Sequence, residues 1–367
     1  ATDLNTAAKG YGVSLLGGGT ISTDTTFLNT GAITVGDEST DSSTFAGGLD
    51  TTAGVTENFA GTVAATDNQI DIGVASVTAD ATIDGGTGAI NTAAMTVADA
   101  STLTVGTGAV GAPTIASVTG ANGGGAASNL TLNSTGVASV GAVGTNIGTV
   151  TVTQSGGTTF SSTVDAVAVT LTDTTGTIQF DGALTATDLN TAAKGYGVSL
   201  LGGSTIANAV TFSNTGTTQI GDATGDTNTF NGGVTATAGA VTASGSVVTS
   251  EDNLALGAVT LVEAQTLTLD TANTGGGNIT VASLTGVTGG SSENITLESG
   301  SGTITVSGAV GTDIGTLTLQ ENAAGASGAV SLQGNVAANT LTTFAQAYDV
   351  SLTGAVNSIT TDTTFLN

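Results

Sequence analysis

Apolar and polar residues alternate in short runs along the whole chain. Examples are "AITV" (32–35), "TLTV" (102–105), "NLTL" (129–132), "TVTVT" (149–153) and "AVTLT" (168–172). Later come "TLTL" (266–269), "NITV" (278–281), "NITL" (294–297), "TITV" (303–306), "TLTL" (316–319) and "VSL" (350–352). Each run sets an apolar residue against Thr, Ser or Asn, the period-two signature of a half-buried strand. Between the runs lie "GGG", "NGG", "DGGTG" and "GDATGD". Gly tolerates positive φ, and Asn and Asp hydrogen-bond their own backbone, so these strings predict turns. No stretch of ten residues carries a capped 3.6-residue period. "DLNTAAKGYG" has the most helical composition, but two Gly interrupt it, and it is expected to be a turn or short excursion.

Strand signals at such close spacing fit tandem sandwiches or a solenoid. Aromatic content separates them. Sandwich cores use large aromatic residues, whereas this chain has 9 Phe, 3 Tyr and no Trp in 367 residues. Val, Ile, Leu and Ala fill a narrow cross-section, and Gly, Asn, Asp and Ser suit its corners. The expected fold is therefore all-β: a parallel β-helix (β-solenoid) with irregular coils of roughly 20 residues, each strand pairing with its equivalent in the next coil.

The chain also repeats itself at long range. "ATDLNTAAKGYGVSLLGGGTI" (1–21) recurs at 186–206 with one change, Gly19 against Ser204. With the same offset Phe27 maps to Phe212, Asn29 to Asn214, Gly36 to Gly221 and Phe45 to Phe230. A decayed third copy at 347–367 aligns Tyr348 with Tyr11 and Tyr196, Phe365 with Phe27, and Asn367 with Asn29. The expected organisation is one continuous solenoid over 1–367, in sequence blocks 1–185, 186–337 and a partial 338–367. A solenoid lengthens by duplication easily, because each coil meets only its neighbours. The Phe residues are expected to fill wider cross-sections, and the tyrosines to share one position at three heights.

Composition narrows the chemistry. There is no Cys and no His, and the only basic residues are Lys9 and Lys194, against 28 Asp and Glu, for a net charge of −26. Thiolate chemistry, disulfides and a Ser-His-Asp arrangement are excluded. So negative a chain repels phosphate backbones and anionic lipid, which argues against nucleic-acid and membrane-surface partners. No apolar run reaches 18 residues, so no membrane-spanning helix is expected. Residue 1 falls inside a repeat without a leader-like segment; a signal peptide has been removed, or the chain belongs to something longer.

Four readings of surface chemistry remain. Acidic Gly-rich turns supply the oxygen ligands of calcium, with Asp37, Glu38 and Asp41, then Asp222 and Asp226 in the related copy, as candidate ligands; the same residues fit tight turns in which Asp bonds its own backbone. The nonapeptide of calcium β-rolls is absent. Asn129, Asn133, Asn278 and Asn294 stand in glycan-acceptor sequons. Lys9 and Lys194 fit a cross-link or an ion pair, or one exposed Lys copied by duplication. Thr-x-Thr pairs such as Thr149/Thr151 and Thr266/Thr268 invite an ice-binding reading, which needs a flat array with one regular period; their irregular spacing along the chain argues against it.

The Gly/Thr/Ala/Val rhythm of units such as "TFNGGVTATAGAVTASGSVVT" (229–249) resembles the large β-solenoid surface proteins of bacteria, including filamentous-haemagglutinin-like exoproteins and large autotransporter passengers. The resemblance covers essentially the whole chain and implies a secreted rod displayed at the cell surface. Three functions follow as expectations. The first is a structural, non-enzymatic protomer of a filament, sheath or surface layer, its partner a second copy stacked head to tail. The second is an adhesin stalk carrying a binding tip elsewhere, with surface glycans as a possible partner class. The third, a polysaccharide-active β-helix, lacks the basic residues that would hold an anionic sugar.

Overall fold

The computed structural model describes residues 1–108, 111–271, 275–320 and 327–366. Among them are 38 strands and no helix. The strand pairings whose register is described are all parallel, the arrangement of stacked coils. The fold is a β-solenoid with about 16 turns of about 21 residues. The chain divides into two compact units, Ala1–Gly182 and Ala183–Asn367.

In the first unit one ladder runs Val13, Ile33, Glu57, Ala75, Met95, Val118, Val143, Val164. Equivalent residues are 18 to 25 positions apart along the chain. The strands keep register while corner turns absorb the difference in length, often through shifts such as that between Val143 and Ile147. A second ladder runs Leu103, Leu130, Val150, Val169, and a third Ile72, Thr92, Ile115, Val140, Phe160, Phe180. Alternate residues of these strands enter a core of almost continuous Val, Ile and Leu.

The second unit repeats the scheme. Gly245, Leu267, Ile295, Leu317 and Leu341 form one inward column. Val247, Leu269, Leu297, Leu319 and Thr343 form its neighbour.

Four of the five Phe residues of the repeated blocks lie in the core, and Phe365 does not. Phe27 meets Phe45 edge to face at 6.4 Å, and Phe212 meets Phe230 in the same way at 6.2 Å. All four are buried. Phe365 instead is 52% exposed. "DLNTAAKGYG" also differs in its second copy, where Asp188–Thr191 completes the strand Leu184–Thr191. Leu184, Ala186 and Leu189 of that strand are buried, and Leu184–Ala186 pair with Ser204–Ile206.

Candidate functional site

Several of the residues retained between the two copies tie one coil to the next. The hydroxyl of Tyr11 accepts from the amide of Ala7 at 2.6 Å, that of Tyr196 from Ala192 at 2.9 Å, and that of Tyr348 from Phe344 at 3.1 Å. One local geometry thus recurs three times. Asn29 Nδ2 donates to the Tyr11 carbonyl at 3.1 Å, and Asn214 Nδ2 to the Tyr196 carbonyl at 3.2 Å. The third residue of the series, Asn367, lies outside the described residues. Thr6 Oγ1 accepts from Leu28 N, as Thr191 Oγ1 does from Ser213 N. Lys9 and Lys194 contribute backbone carbonyls to the same seam, accepting from Thr30 N and Thr215 N. Burial raises the pKa of Tyr196 and Tyr348 above the ordinary phenol value.

The acidic turns belong to this seam. Gly36 and Gly221 open them at φ 73° and 74°, in the left-handed region that favours Gly. Asp41 Oδ2 accepts from the amides of Asp37 and Glu38 at 2.9 and 3.0 Å. Asp226 Oδ2 accepts from Asp222 and Ala223, both at 2.9 Å. The Gly36 amide donates to Leu15 of the coil before, and the Asp41 carbonyl accepts from Thr62 of the coil after. The turn therefore joins three successive coils. The side chains of Asp37, Glu38 and Asp222 point to solvent. Among the described residues no three His, Cys, Asp or Glu side chains converge as a metal site would require.

The Asp37 amide, then that of Glu38, hold the Asp41 carboxyl below its usual pKa of 3.8. A depressed carboxyl pKa contributes stability that is present above 3.8 and is lost as pH falls through the folded-state value. Asp41→Ala is therefore expected to lower the urea midpoint at neutral pH, and the gap to the parent should close in strong acid. A gap of constant size at every pH would contradict this assignment.

Three of the four sequon asparagines serve as coil staples, whereas Asn133 Oδ1 is buried without a partner among the described residues. Asn129 Oδ1 accepts from Thr149 N at 3.0 Å, Asn278 Oδ1 from Thr303 N at 2.9 Å, and Asn294 Oδ1 from Thr316 N at 2.9 Å.

Three buried carboxyls among the described residues were not anticipated: Glu57 is 1% exposed, Glu293 0% and Glu298 4%, and the first two sit without a full set of partners. A signal existed: period two puts Glu57 on the face of Phe59, and Glu293 on that of Ile295 and Leu297. Glu57 Oε2 accepts from Thr51 Oγ1 at 2.6 Å and Gly73 N at 3.2 Å, while Oε1 has no partner among the described residues. A side chain at position 73 would collide with that oxygen, so Gly73 makes room for the acid. Burial pushes the Glu57 pKa up to about 7. The Glu293 carboxyl lies against Gly286, and neither of its oxygens has a partner among the described residues. Both acids are enclosed within a coil, out of reach of a substrate.

No protein-family model, curated protein or solved structure matches the chain.

Proposed function

We propose that the chain is a structural, non-enzymatic β-solenoid, displayed outside the cell, that contributes to a surface filament, sheath or layer by stacking coil on coil. Its partner in this reading is a second copy joined head to tail. The observation that carries the proposal is the retained seam. Residues 1–21 recur with one change, and beyond them Asn29, Gly36 and Asp41 are kept as Asn214, Gly221 and Asp226 with the same hydrogen bonds, the Asn side chain reaching the Tyr carbonyl of the preceding coil in both copies. Preserving the seam preserves the capacity to add coils. The same string is open at one site and covered at another: Tyr11 is 42% exposed and Tyr196 0%. The rhythm shared with bacterial surface solenoids supports the extracellular setting.

The strand Val13–Leu15 supplies the test. Val13 N donates to Ala32 O and Leu15 O accepts from Gly36 N, so both residues face the following coil. In a parallel ladder the residue between them turns its amide the other way, toward an incoming coil. Sedimentation velocity should show a series of species that lengthens with concentration. Ser14→Pro should shorten that series with little change in melting, because Pro removes only the outward-facing donor. A single species at every concentration would overturn the head-to-tail reading.

A further inference from the structure

The register removes the irregularity that spoke against the Thr-x-Thr pairs. In the first unit Thr62, Thr82, Thr104, Thr131, Thr151 and Thr170 are direct partners in six successive coils. Variable coil lengths are taken up at the corners, and the threonines remain in line. A parallel column runs beside them through Thr102, Asn129 and Thr149. The second unit builds the same face from Thr268, Thr296, Thr318 and Thr342, flanked by Thr266 with Asn294 and by Thr316 with Thr340. Each face is thus a two-dimensional lattice, about 4.8 Å between coils and about 6.6 Å between alternate residues of a strand.

Two further observations bear on its occupant. Nothing among the described residues hydrogen-bonds the hydroxyls of the six-membered column; each is part-exposed and faces outward. The named lattice positions hold no Asp, Glu or Lys, on a chain of net charge −26; Asp84 and Asp270 stand at the margin, two residues beyond Thr82 and Thr268. That charge makes another copy of the chain a poor lateral partner, because the two bodies repel. It does not oppose an uncharged partner. The face offers hydroxyl, amide and methyl groups without an aromatic platform for a sugar ring.

We infer that these faces bind crystalline water, an ice surface. Ice presents an uncharged oxygen lattice whose short and long repeats are close to those of the threonine array. The hydroxyls enter that lattice as donors and acceptors, and the methyls between them order water in the gaps. A sheet held by the coil ladder is organised before it meets the crystal, so binding costs little ordering of the backbone.

The test uses the full chain and ice itself. Thermal hysteresis and crystal shaping are measured for the parent, for Thr151→Lys with Thr296→Lys, and for Thr96→Lys with Thr260→Lys. The first pair of substitutions breaks the lattice in both units. The second places the same charges at exposed threonines on other faces. The parent should shape ice and show hysteresis, the lattice variant should lose most of both, and the control should retain them, with melting curves alike. Absence of hysteresis in the parent, or equal loss in the control, overturns the inference. So does retention on microcrystalline cellulose that the lattice variant loses while the parent leaves ice growth unchanged; the face would then be a polysaccharide surface. Dimerisation of the parent through this face, abolished by the lattice substitutions, would overturn it as well.

Discussion

Glu57→Gln is expected to stabilise the first unit at pH 8 and to leave it nearly unchanged at pH 4. The carboxyl occupies an aliphatic ladder between Ile33 and Ala75. Burial raises its pKa from the usual 4.5 to about 7; the hydrogen bonds from Thr51 and Gly73 act the other way, and the charge of Asp50 adds to the rise. A raised carboxyl pKa means that the folded chain holds a proton that the unfolded chain has already released. Stability from this group is therefore complete below pH 4.5, falls as pH rises through the window to about 7, and stays low above it. A shift of this size corresponds to about 3 kcal/mol as an upper figure. Gln keeps the shape and an acceptor for Thr51 and Gly73 but does not ionise. Urea denaturation from pH 4 to pH 8 should show the parent weakening while the variant holds steadier. Parallel curves would show that Glu57 does not titrate in this window.

Phe160→Ala is expected to cost about 3–5 kcal/mol, the usual range for emptying a buried Phe site. Phe160 is fully buried, follows Val140 in its ladder, and stacks on Phe180 at 4.8 Å with planes 5° apart. Few large side chains are available nearby to refill the space. Coils interact with neighbours only, so the damage should be local. An early denaturation transition and new protease cleavage near residues 140–180 are the expected signs. Thr159→Ala, on the outward face of the same strand, should change stability by less than about 0.5 kcal/mol. A Phe160→Ala loss no larger than that of Thr159→Ala would show that this coil is not close-packed.

The solenoid was legible because its strands obey period two and its core residues are interchangeable aliphatics. "TLTV", "NLTL" and "AVTLT" became neighbours in one ladder. The duplicated Phe pairs were legible because the same local sequence met similar neighbours, while Tyr11 and Tyr196 share a local hydrogen bond and differ in burial. Phe365 failed that rule, since a side chain is buried by the coil beside it and not by its own string. The threonine lattice was hidden for a related reason. Sequence spacing counts corner residues, whereas register ignores them, so equal heights appear as unequal intervals. Glu57 was hidden because acids in so Gly-rich a chain favour turns, although its two-residue spacing from Phe59 pointed inward. The capping role of Asp41 and Asp226 was one of two readings their turn allowed; the amide donors at residues 37 and 38, and at 222 and 223, are the partners the structure supplies.

Oriented diffraction from assembled chains tests the proposal of coil-on-coil stacking most directly. If copies join head to tail, coils repeat along the filament, and a strong reflection near 4.8 Å should lie along its axis. A 4.8 Å reflection perpendicular to the axis, or chains that form no filament at any concentration, would contradict it.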